Sequence, residues 1–380
     1  MTDWPVKTLG DICEVFDDGD WIESKDQASS GVRLIQTGNV GEGEFKDRSD
    51  KARFISELTF SRLRCTEIIP GDLLVSRLPD PVGRACLIPD TGSKMITAVD
   101  CTIMRPRKDI MLPQFLVSST QTSGYREQVR AKITGTTRDR ISRSKLAEVQ
   151  VSVPPLEEQK RIVALLDAAT ARVTELSACY EKARTHANNL FTSALRDALE
   201  SNPDWLLGTL NDLCEVEYGT RVTRKRDGGT KYPVYGGGGA TFSLDDFNRQ
   251  DQMIVARFAM SEECVRFVSG KFFLNDSGLT VRTCDAKKLS QEFLDQQLLA
   301  RSREIYATAR GTAQKNMDMT MFRSMELSYP DSLEEQKQIV ARLDSMRAKT
   351  SEMVAAYDAK LTAAKNLRQS ILDAAFAGDL

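Results

Sequence analysis

Two stretches of the chain carry a regularly placed position every three or four residues, ten times in succession. The first runs Ile162, Leu166, Ala169, Val173, Leu176, Tyr180, Ala183, Ala187, Leu190 and Ala194. The second runs Ile339, Leu343, Met346, Thr350, Met353, Tyr357, Lys360, Ala364, Leu367 and Ile371, with Thr350 and Lys360 as its softer positions. Alternating steps of four and three are the a/d spacing of a coiled-coil seam. Each stretch opens after proline with Glu-Glu in its first turn, where the helix dipole favours negative charge. A helix of some 40 residues is about 60 Å long at ~1.5 Å per residue. A seam of that length is not left in water, and alanine-rich seams let two axes come close. The spacing therefore predicts two long helices that pair in a coiled coil, expected to be antiparallel and within the chain; the alternatives are that each helix packs on its own domain or that the helices pair between two chains.

Between the seams the pattern changes to short apolar runs bounded by Gly, Pro and Asp. GDLLVSRL, RACLIP and VDCTIMRP in the first half predict strands, as do QMIVARF, CVRFVSG, KFFLN and GLTVRT in the second. One helix is expected over residues 113–130 and another over 290–310. The class is α+β.

The halves repeat each other. LEEQKRIVALLD (156–167) and LEEQKQIVARLD (333–344) agree at ten of twelve positions, and WPVKTLGDICEV (4–15) and WLLGTLNDLCEV (205–216) at seven of twelve. The chain is a tandem duplication, each copy a mixed domain followed by a long helix.

Composition narrows the chemistry. The 380 residues suit two or three folded units. Lys+Arg 52 against Asp+Glu 54 gives a net charge of −2, so bulk charge will not hold a polyanion. A single histidine, His186, argues against His-based zinc sites and His triads. The eight cysteines form no CxxC pair and read as small, reduced, buried hydrophobes of a cytoplasmic protein. No apolar run is long enough to cross a membrane, and the start shows no export signal.

Three motif-like strings lose to structural readings. Pro330-Asp331 ahead of Glu335-Gln336-Lys337 resembles a metal-dependent nuclease motif, but the first copy lacks the Pro-Asp and a helix start explains both. Asn202-Pro203-Asp204-Trp205 hints at a methyltransferase loop; a linker fits better, since no glycine-rich cofactor loop accompanies it. The run Gly236 to Gly239 has no following Lys-Ser/Thr and is no P-loop; it reads as a tight or mobile loop open to close approach by a ligand.

Positive charge is local. Residues 132–145 hold Lys132, Arg138, Arg140, Arg143 and Lys145 against Asp139 alone, and residues 221–231 hold Arg221, Arg224, Lys225, Arg226 and Lys231 against Asp227 alone. Both read as Gly- and Thr-containing loops of the kind that approaches phosphates, with Arg able to contact phosphate or guanine through two bonds.

On these residues a family resemblance appears. The repeated EQK-x-I-V-x-x-L-D helix starts and the repeated W-x-x-x-x-L-x-D-[IL]-C-E-V opening resemble the specificity subunit of type I restriction-modification enzymes. Residues 232–281 look like one of its target-recognition domains, and Gly311-Thr312-Ala313-Gln314-Lys315-Asn316 is similar to its G-T-x-Q-x-N element. The first half departs from that element at Gly135-Thr136-Thr137-Arg138-Asp139-Arg140, which has neither Gln nor Asn. The resemblance implies a first target-recognition domain over 1–153, a long helix over 154–200, a second recognition domain over 201–330 and a second long helix over 331–380. It implies a non-catalytic subunit that reads a two-part site in double-stranded DNA, with the paired helices as the ruler between the halves. Two methylation subunits and the restriction subunits would dock on it and carry S-adenosylmethionine and ATP with Mg²⁺; this chain needs no cofactor. The alternative is a coiled-coil scaffold for protein partners without DNA. Expected DNA contacts, from charge, turn character and motif position, are Gln36, Asn39, Arg77, Lys132, Thr136, Arg138, Arg140 and Arg143 in the first domain. In the second they are Arg221, Arg224, Arg226, Tyr235, Arg257, Gln314, Lys315 and Asn316.

Overall fold

The computed structural model describes residues 4–135, 138–199, 202–312 and 314–380. The chain divides into two compact units, one of residues 1–180 with 360–380, the other of residues 181–359. Each unit therefore holds a mixed domain, part of the first long helix (Leu156–Ala198) and part of the second (Leu333–Ala377).

In the first unit the strand Cys13–Asp18 pairs antiparallel with Cys101–Pro106, followed by Leu73–Ser76 and Ala85–Leu87. A second four-stranded sheet runs Gln27–Ala28, Arg53–Ile55, Val32–Ile35 and Met95–Thr97, the last pair parallel. The runs LLVS, ACL and CTIMRP are strands, as their β-branched content predicts. The segment expected as one helix is two, Pro113–Ser119 and Ser123–Lys132. Ser119, Thr120 and Thr122 hydroxyls donate back to carbonyls three residues earlier, and Thr122 caps the second helix by accepting from Tyr125 N. Such local bonds compete with helix continuation.

In the second unit six strands lie in the order Cys214–Tyr218, Gly278–Thr283, Arg249–Ala256, Val265–Leu274, Tyr232–Tyr235 and Ala240–Leu244. The two runs CVRFVSG and KFFLN form one strand, with Gly270 inside it at a positive φ. Gln291–Ala300 and Ser302–Ala307 replace the single expected helix.

Both repeated motifs have a structural cause, the same in each unit. In the opening motif, Thr8 accepts from Asp11 N and donates to Asp11 Oδ2 (2.7 Å), and Thr209 does the same with Asp212 (2.6 Å). These N-caps turn the chain so that Leu9 and Leu210 enter the two cores with no exposed surface. In the helix-start motif the glutamine is a clasp. Gln159, fully buried, donates to Ile110 O and Pro154 O and accepts from Leu112 N, each at 2.8 Å. Gln336, equally buried, donates to Lys288 O and Pro330 O and accepts from Ser290 N. Each clasp ties the first turn of a long helix to the segment that starts the next domain helix.

The long helices pair antiparallel within each unit. In the first, Ile371, Leu372 and Ala375 join Ile162 and Leu166 in one core; in the second, Ile339, Val340 and Leu343 join Phe191 and Leu195. The strict heptad seam does not hold. Leu176 and Leu190 are 41% and 51% exposed, and Met353 and Leu367, each 177 residues further on, are 41% and 49% exposed. Ser177 and Phe191 are half-buried instead, as are Val354 and Leu361 in the second helix. An α-helix drifts by about 20° per heptad against a 3.5-residue repeat, so over this length some seam positions turn outward while Val173, Ala187, Thr350 and Ala364 stay buried.

Six cysteines are buried or half-buried as expected; Cys179 and Cys284 are exposed. Among the described residues no helix is long and apolar enough to cross a membrane, and no group of three or more His, Cys, Asp or Glu is placed to hold a metal.

Candidate nucleic-acid interface

In the second domain three segments distant in sequence meet. Strand Arg249–Ala256 runs out into Arg257 and Phe258. Met317 N donates to Arg257 O (2.8 Å) and Met260 N to Lys315 O (2.9 Å), which lays residues 315–317 along residues 257–260. Asn316 Oδ1 accepts from Ala259 N (3.4 Å). The glycine run arrives through Ser277, whose carbonyl accepts from Arg257 N (2.8 Å) and whose Oγ accepts from Gly237 N (3.3 Å). Arg266 Nη2 donates to Gly237 O (3.4 Å). The Arg257 guanidinium lies 4.7 Å from the Tyr218 ring centre and 4.6 Å from that of Phe258. Among the described residues neither Arg257 nor Lys315 is ion-paired, and Gln314, Lys315 and Asn316 are exposed. The result is an open surface of cations, amides and aromatic edges. A planar guanidinium can fork onto phosphate or guanine, amides suit adenine, and rings offer stacking faces.

Residues 221–231 are not a plain loop. Arg224–Asp227 is a helical turn in which Asp227 accepts from Thr223 N (2.8 Å) and pairs with Arg226 (2.9 Å). The Arg226 hydrogen bond and the Thr223 amide hold the Asp227 carboxyl below its ordinary range. Arg224 Nη2 donates to Thr241 O (2.5 Å) and lies 5.8 Å from the Phe242 ring. Arg221 and Lys225 are exposed and, among the described residues, unpaired. Tyr235 sits in a strand with its ring edge-on to buried Phe272 (5.6 Å), so the ring serves the core.

The first domain differs in charge more than in backbone. Thr134 bridges Arg140 as Arg310 bridges Asn316. A Cβ on Gly135 would sit 2.2 Å from Arg138 O, and one on Gly311 2.2 Å from Gln314 O, both at positive φ. The two loops are one turn dressed differently. Ile141 N donates to Arg77 O as Met317 N does to Arg257 O, which makes Arg77 the counterpart of Arg257.

Two expected contacts are corrected. Arg77 is 4% exposed, paired with Asp18 (3.3 Å) and bonded to Val99 O; burial pulls its guanidinium below its ordinary pKa. It belongs to the core. Asn39 is buried and acts as a staple, accepting from Gln36 N (3.0 Å) and donating to Lys46 O (2.9 Å). The basic run 132–145 is largely compensated by acids outside it: Lys132 pairs with Glu148 (2.9 Å), Arg140 with Asp100 (3.4 Å) and Arg143 with Asp17 (2.5 Å). Arg138 is exposed and, among the described residues, unpaired. Thr136 lies outside the described residues.

Sequence reasoning missed Arg48, Lys51 and Arg53, which line a concavity of about 360 Å³ together with Gln36, Thr37, Gly38 and Asn39. The run KDRSDKAR interleaves them with Asp47 and Asp50, which leaves it a weaker local excess of charge than residues 132–145 or 221–231. In the structure Asp47 is taken by Arg33.

Two duplicated mixed domains, each clasped to a pair of antiparallel long helices, define the class as a tandem α+β protein with one candidate binding surface per domain. The profile of the type I restriction modification DNA specificity domain matches residues 1–182 and 202–363, and the chain belongs to that family. A putative type I restriction enzyme MjaX specificity subunit from Methanocaldococcus jannaschii is 23% identical over 171 residues, which is 43% of this chain and 39% of that protein. The chain thus matches well under two thirds of that relative's length. In fold it resembles a chain from work on complex assembly and conformational transition of the type I R-M system (TM-score 0.79, 19% identity, 99% and 98% of the two chains). It also resembles the HsdS subunit from Thermoanaerobacter tengcongensis (TM-score 0.58, 20% identity, 100% and 98%).

Proposed function

We propose that this chain is the DNA sequence-recognition subunit of a type I restriction-modification complex, non-catalytic itself, reading a two-part site with one half per recognition domain. The observation that carries the proposal is the duplication of the whole reading unit. Each copy repeats the same N-cap, the same glutamine clasp and the same glycine turn, yet the side chains on that turn differ, Arg138-Asp139-Arg140 against Gln314-Lys315-Asn316. Conserved scaffolding under divergent surface residues is what two readers of different half-sites need. The recognition domains are taken as 1–153 and 201–330 and the helices as 154–200 and 331–380.

Energetics favour such a pair. Each mismatched base pair costs about 1–3 kcal/mol, so one small reader discriminates poorly. Linking two makes the second contact intramolecular and combines their selectivities. With a net charge of −2 the chain alone binds DNA weakly, and partner subunits supply further phosphate contacts. Two methylation subunits, carrying S-adenosylmethionine, and restriction subunits, using ATP and Mg²⁺, complete the complex; the exposed Leu176, Leu190, Met353 and Leu367 supply apolar docking points along the helices. Arg138, Arg221, Arg224, Arg257, Gln314, Lys315 and Asn316, with Gln36, are the proposed DNA contacts.

The complex with the methylation subunit should bind duplex DNA with an affinity that falls steeply with salt. Arg257→Ala should weaken that binding by about 1–3 kcal/mol. Partner binding with no affinity for DNA at any salt concentration would favour the scaffold instead.

A further inference from the structure

The geometry points to a phosphate-binding cradle in the first domain, formed by Arg48, Lys51 and Arg53 around the turn at residues 36–39, and filled by a DNA backbone phosphate. The proposal rests on the DNA-recognition reading above. Three observations carry it. All three cations are exposed and open onto one concavity with no carboxylate in its lining. Among the described residues none of them is ion-paired, in a domain where Lys132, Arg140 and Arg143 all are. The cradle is also built rather than draped. Asn39 staples residues 36–39 to the 46–48 segment through Gln36 N, Lys46 O and the Lys46 N to Asn39 O bond (2.8 Å). Arg53 starts a strand paired with Leu34. Arg48 Nη1 lies so close to Gly38 that a Cβ there would sit 2.2 Å from it, so any larger residue would displace the guanidinium.

The chemistry selects a phosphate. Three converging cations beside a half-buried amide side chain suit a compact, highly charged oxyanion better than an apolar or planar ligand. The cradle also makes up for what the domain's predicted basic run has lost. With Arg77 buried and three of that run's cations compensated, Arg48, Lys51 and Arg53 are a group of three cations in this domain that open onto one concavity without an ion pair among the described residues. A backbone phosphate held there would fix the register of the domain on the duplex without contributing to sequence choice.

The test uses the full chain, a random-sequence duplex and the slope of log affinity against log salt. Each phosphate contact contributes about 0.9 to that slope. The Arg48→Ala/Arg53→Ala variant should lower it by about 1 and weaken binding to unrelated sequences equally. Arg48→Lys/Arg53→Lys should keep the slope, and Lys51→Ala alone provides a milder check should the double variant melt early. An unchanged slope in folded variants, while Lys315→Ala still weakens binding, overturns the cradle and leaves the DNA reading standing. Salt-independent wild-type binding, unaffected by Lys315→Ala, overturns both. If inorganic phosphate raises the melting temperature through Arg48 while the duplex slope stays the same in the variant, the site takes a free anion and the duplex contact is wrong.

Discussion

Gln159 and Gln336 show how much one side chain can decide. A fully buried amide that satisfies one amide N–H and two carbonyls cannot be truncated cheaply, because each orphaned group costs about 1–3 kcal/mol. Gln336→Ala is expected to destabilise the protein by about 2–4 kcal/mol, seen as a lower denaturation midpoint. Asp295 makes the opposite case. Burial raises its carboxyl from 3.8 to about 6, against the Gln291 hydrogen bond. Between those values the folded chain holds a proton that the unfolded chain has released, so stability falls as pH rises from 4 to 6 and stays lower above. Asp295→Asn should flatten that dependence and raise stability at pH 7.5, since a tenfold difference in proton affinity between folded and unfolded chain corresponds to about 1.4 kcal/mol. Denaturation curves at pH 4, 6 and 7.5 check the sign. The residue scale is also where the sequence is hardest to read. Arg77 and Arg257 occupy matching places and read alike, yet Asp18 draws one into the core while the other stays half-buried at the surface between Tyr218 and Phe258. Charge compensation across more than a hundred residues, as between Arg143 and Asp17, leaves no trace in a local count.

At the scale of elements the sequence is far more legible, because periodicity and caps are local physics. Both long helices and the strands at LLVS, CTIMRP and GLTVRT follow from spacing and residue type, whereas the antiparallel sense of the helix pair is seen only in the packing. The misses have local causes too. Hydroxyl back-bonding splits the helix at Thr120 and Thr122. The stripe departs from the seam because a strict 3.5-residue count runs ahead of a helix whose own period is about 3.6 residues. The shift makes a direct prediction. Leu190→Lys should change stability by no more than about 0.5 kcal/mol, as expected of an exposed site. Leu343→Ala, in the core of the second unit, should cost about 2–5 kcal/mol. Equal losses in thermal melts would show that the predicted heptad, not the observed stripe, carries the packing.

For the whole molecule, duplication is the organising fact. Each unit draws on both long helices: the first is completed by residues 360–380 from the far end of the sequence, while the second is the continuous run 181–359. What the two copies share is scaffold, and where they diverge is the turn that carries the proposed contacts. Base choice should therefore travel with the domain and be independent between the copies. The most direct measurement is a genome-wide map of N6-methyladenine in cells that express this chain with its methylation subunit, before and after residues 1–153 are exchanged for those of another family member. The account predicts a two-part methylated motif of which only one half changes on exchange. A single undivided motif, or a change in both halves together, would contradict it.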